Sequence, residues 1–182
     1  MTSTDKIIKD MKWINTVTPT GGALWCKVLE PDYKFDKQGR YETTLVLNPD
    51  VEESSLFIGK ITNYLTEQAD KIIATLPARK ASEIKIVAPF SKEYDKEDNE
   101  TGNLLLKSKS TASFKDEKII IPIYDAKGNK LDNFKKAIGN GSSIRLYVSL
   151  KPYFLNNNIG LAIRLKKLQI IELREYVVEE DV

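Results

Sequence analysis

Between Ser143 and Tyr153, apolar and polar residues take turns. Ile144, Leu146, Val148 and Leu150 fall on one side of an extended chain; Arg145, Tyr147, Ser149, Lys151 and, across Pro152, Tyr153 fall on the other. A period of two predicts a strand with one core face. Similar runs predict strands at 22–30 and 40–48, a short one in "SEIKIVAPF", and others in "LLLKSKSTASF", "KIIIPIY" and "IGLAIRLKKLQIIEL", with "KWINTVT" as a further candidate. One segment switches to a period near 3.6. Phe57, Ile61, Leu65, Ala69, Ile72 and Leu76 predict a long helix over about 51–76, opened by an Asp50–Glu53 capping box and stopped by Pro77. "SKEYDKEDNETGN" reads as a charged loop, and "DAKGN" and "GNGSS" as turns. Many short strands and one long helix predict a mostly β fold, sandwich or barrel; periodicity alone leaves both open.

Composition narrows the chemistry. At 182 residues and 41% hydrophobic, the chain suits one domain with a real core, expected over 1–174. No apolar run approaches the roughly 18 residues of a membrane helix, and the N-terminus has no apolar core of a signal peptide, so neither segment is expected. Histidine is absent, which removes His-based nucleophilic triads, imidazole metal ligation and histidine acid–base catalysis. The single cysteine, Cys26, allows no internal disulfide and reads as a small buried hydrophobe in a reducing setting. No cofactor site stands out. The carboxylates of "EYDKEDNE" lack EF-hand spacing and read as a solvated loop, and "GNGSS" lacks the lysine of a phosphate loop.

Charge changes the picture more. The net charge is only +2, yet residues 107–174 hold fourteen Lys or Arg against five Asp or Glu. The last eight residues hold four acids, Glu175, Glu179, Glu180 and Asp181, and no base. By strand parity, Lys107 and Lys109 face out with Leu105 and Thr111. Arg164 and Lys166 face out with Ala162, opposite Ile159, Leu161, Ile163 and Leu165. Three such strands side by side would form a basic groove with Tyr147 and Tyr153 standing in it and Phe154 at its edge. Cations compensate phosphates, and an aromatic ring offers a stacking face to any base. This points to single-stranded nucleic acid. The rival is a β-rich virion structural or assembly protein whose basic face meets another protein. Trp13 and Trp25 are ambiguous: Trp25 shares a face with Ala23 and Lys27 and reads as a stacking platform or, no less, as a core residue. The acidic tail could occupy the groove in the absence of DNA or dock on a basic partner.

The segments "EPDYKFDKQGRYETTLVLN", "KSKSTASFKD" and above all "IPIYDAKGNKLDNFKKAIGNGSSIRLYVSLKPY" with "IGLAIRLKKLQIIEL" resemble the single-stranded DNA-binding proteins of short-tailed, T-odd-type bacteriophages. The resemblance runs from about Ala23 to Leu173. It implies an OB-fold-like barrel, closed or partly open, with one long helix and an acidic C-terminal tail. It implies a non-enzymatic homodimer acting in phage replication, recombination and strand annealing, in the cytoplasm of the infected host. Its tail would contact the phage DNA polymerase and primase-helicase. Carried onto this chain, the DNA contacts of the family fall on Tyr153, Arg145, Lys107 and Lys109. Tyr147 stands where a basic residue is typical and Leu155 where an aromatic is, and "REYVVEEDV" lacks the long tail and terminal aromatic of the family.

Overall fold

The computed structural model describes residues 2–34 and 36–175. In chain order these form α1 (Ser3–Asp10), β1 (Ile14–Val17), β2 (Gly21–Asp32), β3 (Arg40–Leu47), α2 (Glu52–Ile73), α3 (Ala78–Ala81), β4 (Lys85–Ile86), β5 (Ser91–Tyr94), β6 (Glu100–Thr111), β7 (Ser113–Phe114), β8 (Glu117–Lys118), β9 (Ile123–Tyr124), β10 (Ser143–Leu155) and β11 (Asn158–Glu172). Among the described residues no helix is long and apolar enough to cross a membrane.

The main sheet runs β1-β10-β2-β3-β6-β11-β4, and β10 also pairs with β11. The β10–β11 hairpin is its spine, antiparallel from Ser143 to Leu155. Two of the junctions between long strands are short. Gly21 and Gly22 alone join β2 to β10, and one bridge, Arg164 to Lys109, joins β6 to β11. The sheet therefore curls strongly without being a continuously closed barrel.

The core lies inside the curl. Ile144, Leu146, Val148 and Leu150 are buried, as the period of two predicts. They meet Leu45 and Leu47 of β3, Leu106 of β6, Ile159, Leu161, Leu165, Leu168 and Ile170 of β11, and the apolar stripe of α2. That stripe is Phe57, Ile61, Leu65, Ala69 and Ile72, so α2 plugs the sheet with the face its sequence presents. Tyr41, buried on β3, donates its hydroxyl hydrogen to the Ile119 carbonyl at 2.6 Å and ties in the segment ahead of β9.

Several expectations need correction. The Asp50–Glu53 capping box does not form: the N-cap of α2 is Val51, without a side-chain bond, and the Asp50 N–H goes instead to Asn48 Oδ1. A capping box does open α1, a helix that periodicity does not announce. The Thr2 hydroxyl accepts the Asp5 N–H at 3.0 Å, and the Asp5 carboxylate accepts the Thr2 N–H. The charged stretch 91–103 is not a loop but the β5–β6 hairpin, with Asp95 Oδ1 capping its turn by accepting the Glu97 and Asn99 N–H groups. "KIIIPIY" is irregular in its middle, where Pro122 can donate no ladder bond; Lys118 pairs with Ser113 at its start, and Ile123 and Tyr124 pair with β11 at its end. Finally, β11 does not alternate throughout. An extra residue at Lys166 separates the pairs Val148–Leu165 and Tyr147–Lys167. This bulge returns Leu168 and Ile170 to the core; ahead of it, Ile163, expected to face in, is only half buried.

Candidate nucleic-acid interface

On the outer surface, strand register lines up a transverse row. Asn15 pairs with Ser149, Ser149 with Arg164, Arg164 with Lys109, Lys109 with Glu42, and Glu42 with Lys27. Directly paired residues share a face, so six strands contribute to one row. Lys107, paired with Thr44, flanks it on β6, and Lys151, paired with Ala162, flanks it on β10. Tyr153 and Tyr147 share the β10 side of the face. The sequence-predicted residues Lys107, Lys109, Tyr147, Lys151, Tyr153 and Arg164 are thus all brought onto the outer face.

The environments differ, and the difference decides what each can do. Lys107 and Lys109 are exposed on β6, and Arg164 is exposed on β11. Arg164 does not swing freely: its guanidinium carbon sits 4.1 Å from the centre of the Trp13 ring. Stacking of that kind presents the guanidinium as a fixed plane. Trp13, Arg40, Lys109 and Arg164 line a hollow of about 330 Å³ over the β6–β11 junction. Lys167, turned outward by the bulge, has its ammonium 5.9 Å from the Tyr147 ring and 5.7 Å from that of Tyr124. A cation thus stands between two aromatic faces, an arrangement in which sequence parity places Tyr147 alone.

Tyr153 lies flat on the hairpin. A Cβ on its partner Gly160 would fall 2.5 to 2.8 Å from three atoms of its phenol, so the missing side chain is what seats the ring. The ring is half buried with its remaining surface toward solvent. Phe154 instead packs against the core, and Leu155 is exposed at the hairpin tip. Arg145 is engaged elsewhere. Its side chain is 34% exposed, donates to the Thr20 hydroxyl at 3.2 Å and lies 3.8 Å from the Glu53 carboxylate. It braces β10 against the start of α2 rather than projecting a free cation. Ser149 is buried under β1, where its hydroxyl bonds Asn15.

The face also holds an acid that strand-by-strand parity passes over. Glu42 lies within the row, 3.5 Å from Arg40 and 3.9 Å from Lys107. Of the tail acids, Glu175 reaches Lys136 at 3.3 Å, an exposed pair of little energetic weight. Glu179, Glu180 and Asp181 lie outside the described residues. Cys26 is mostly buried, and burial pushes its thiol up to about 11, so it stays protonated at neutral pH and is no nucleophile.

The profile of the family "Single-stranded DNA-binding protein, Bacteriophage T7" matches residues 21–173. The chain belongs to that family. Among curated proteins, the single-stranded DNA-binding protein of Escherichia phage T7 is 30% identical over 105 residues, covering 53% of this chain and 45% of that protein. That of Enterobacteria phage T3 is 30% identical over 100 residues, covering 50% and 43%. The chain thus matches less than half the length of these relatives. The fold of this family member also matches solved structures. The crystal structure of T7 gp2.5, a single-stranded DNA-binding protein, superposes with a TM-score of 0.71 at 21% identity, covering 93% of this chain and 92% of that one. The single-stranded DNA-binding protein of bacteriophage Enc34 in complex with ssDNA superposes with a TM-score of 0.60 at 12% identity, covering 90% and 89%.

Within this family member, the residues that parity misses are hidden for identifiable reasons. Lys167 needs the bulge to reach the outer face. Tyr124 needs the parallel pairing of β9 with β11. Trp13 lies ahead of the profile match and finds Arg164 only because β1 adds to β10. A pattern of exposed cations beside aromatic residues is present in the sequence for all three, but the pairings are not.

Proposed function

We propose that this chain is a non-enzymatic protein that binds single-stranded DNA along its outer face, without marked sequence preference, in phage DNA replication, recombination and strand annealing. The observation that carries this reading is the transverse row, in which Lys109 and the Trp13-stacked Arg164 stand side by side on a strand junction. Cations at that spacing follow a phosphate backbone, and the flanking rings of Tyr147, Tyr153 and Tyr124 accept unpaired bases. Membership in a family whose T7 and T3 proteins carry single-stranded DNA binding in their names supports it. We read the curled sheet as an OB-type barrel left partly open at the β6–β11 junction. The tail acids Glu175, Glu179, Glu180 and Asp181 are proposed as the contact for the phage polymerase and primase-helicase, the working form as a homodimer, and the setting as the host cytoplasm. No cofactor is invoked.

Fluorescence anisotropy with labelled oligonucleotides tests this. Binding should weaken steeply with salt and leave the oligonucleotide intact in magnesium; no binding at low salt would discard the reading. Tyr153→Ala should weaken binding about tenfold with the salt slope unchanged, since a stacking platform releases no counterions. Gly160→Ala should give a loss in the same direction by displacing the ring, with Tyr153 still present. A change of salt slope in either variant would show that Tyr153 acts through charge.

A further inference from the structure

One hollow on this face has a chemistry of its own. It measures about 150 Å³, room for a single base, and is lined by Trp25, Glu42, Thr44, Ser91, Leu105 and Lys107. Its first wall is Trp25, which is 63% exposed, an uncommon setting for the largest side chain on a strand. It also has φ of +49°, a left-handed conformation that is an outlier for a bulky residue. The cause is a bulge: two residues of β2, Trp25 and Cys26, stand between the pairs Leu24–Thr44 and Lys27–Glu42, against one residue of β3. The strained backbone is held from outside the sheet, where Asn140 Oδ1 accepts the Trp25 N–H at 2.9 Å. Strain kept in place by a dedicated contact is characteristic of ligand clamps.

The second wall is Glu42. Its Oε2 is buried and takes part in no hydrogen bond among the described residues; Arg40 and Lys107 approach it only at ion-pair distance. The carboxylate is thus held by charge but by no aligned donor, and with 20% of the side chain exposed it can still accept one from the hollow. The third wall is Lys107, 68% exposed and long enough to turn from Glu42 to a passing phosphate.

We infer that this hollow is a base subsite with a preference for cytosine. The base stacks on Trp25, its exocyclic N4 amino group donates to the Glu42 carboxylate, and Lys107 holds the adjoining phosphate. An acidic side chain accepting from cytosine N4 is the pairing that carboxylates make with bases. Thymine, of the same size, puts the O4 lone pairs at that point and meets the carboxylate with repulsion. The site rests on the single-strand reading and adds to it a position where the protein distinguishes between two pyrimidines.

The test compares labelled dC and dT oligomers of about twelve nucleotides at one salt concentration. The protein should bind dC about fivefold tighter, the scale of the net contribution of one ordinary hydrogen bond. Glu42→Gln should bring the two within twofold while raising affinity for both, because a negative charge leaves a basic face. Trp25→Ala should weaken both and abolish the preference, whereas Trp25→Phe, which keeps a ring, should retain it. Gain of affinity in one variant and retention of preference in another cannot come from misfolding. Equal binding of dC and dT by the natural chain, or a preference that survives Glu42→Gln, would overturn the subsite and leave single-strand binding standing. Failure to bind either oligomer at low salt would overturn both.

Discussion

Replacing Lys109 and Arg164 together by alanine should weaken single-strand binding about a hundredfold and make the slope of log affinity against log salt shallower by about 1.4, close to 0.7 for each single-strand phosphate no longer neutralised. The two residues are direct partners across the β6–β11 junction and share the outer face with no residue between them. Neither is packed in the core, so the double variant should melt at the temperature of the natural chain. Trp13 connects to the same site: with Arg164 present, its ring holds the guanidinium flat at 4.1 Å. Anisotropy titrations at four or five salt concentrations measure the slope. An unchanged slope with undiminished affinity would move the DNA path away from this junction, and with it the central claim about the face. Arg145→Ala offers the contrast. Its bond to Thr20 and its proximity to Glu53 make it a brace, so its loss should register in stability more than in the slope.

The second large effect concerns the fold. Gly21→Ala should cost about 2 kcal/mol, within the range for forcing a methyl into a packed interior, and lower the melting temperature by roughly 4–8 °C. Gly22→Ala, one residue on, should cost little. A Cβ at Gly21 would fall 2.5 Å from the Val46 carbonyl oxygen and 2.9 Å from Leu45 Cδ1, and backbone cannot step aside cheaply. At Gly22 the nearest atom is Val46 Cβ at 3.5 Å, ordinary contact. These two glycines are also the whole of the β2–β10 pairing, to Ile144 and Ser143. A methyl at the first therefore presses β2 away from β3, right beside one of the two short junctions at which the sheet turns back on itself. Thermal unfolding followed by circular dichroism distinguishes the two. Equal melting temperatures would show that β2 can shift from β3 there without cost.

Much of the fold is open to pattern reading because it follows from local periodicity. The core face of β10 and the apolar stripe of α2 need no knowledge of partners: residues two apart on a strand, or three and four apart on a helix, share a side whatever they pack against. Lys107 and Lys109 can be placed on the outer face by the same counting, since β6 alternates without interruption there. Counting fails at bulges. The extra residue at Lys166 inverts the parity of the rest of β11, and the one at Trp25–Cys26 turns to solvent an indole that parity leaves undecided. It fails also where a residue's role depends on what lies opposite it. Nothing in "INTVTPT" or in Glu53 announces that Arg145 will find Thr20 and the first turn of α2. The helix start escapes for a related reason. Asp50 and Glu53 have the right spacing for a cap, but Asn48 forms the turn first and takes the Asp50 N–H.

By itself, the order of residues determined which side chains are apolar, at what period they recur and how the charge is shared between the body and the end of the chain. Those properties depend on the spacing of the backbone, which is the same in every strand or helix. Register, bulges and the return of β11 to both β10 and β6 were decided only in three dimensions, because they depend on which strands compete for one another's hydrogen bonds. That competition put Lys109 beside Arg164, Arg164 on Trp13, and Glu42 under Lys107. Cations scattered along the chain became one row on one face when the sheet curled and brought strands distant in sequence side by side.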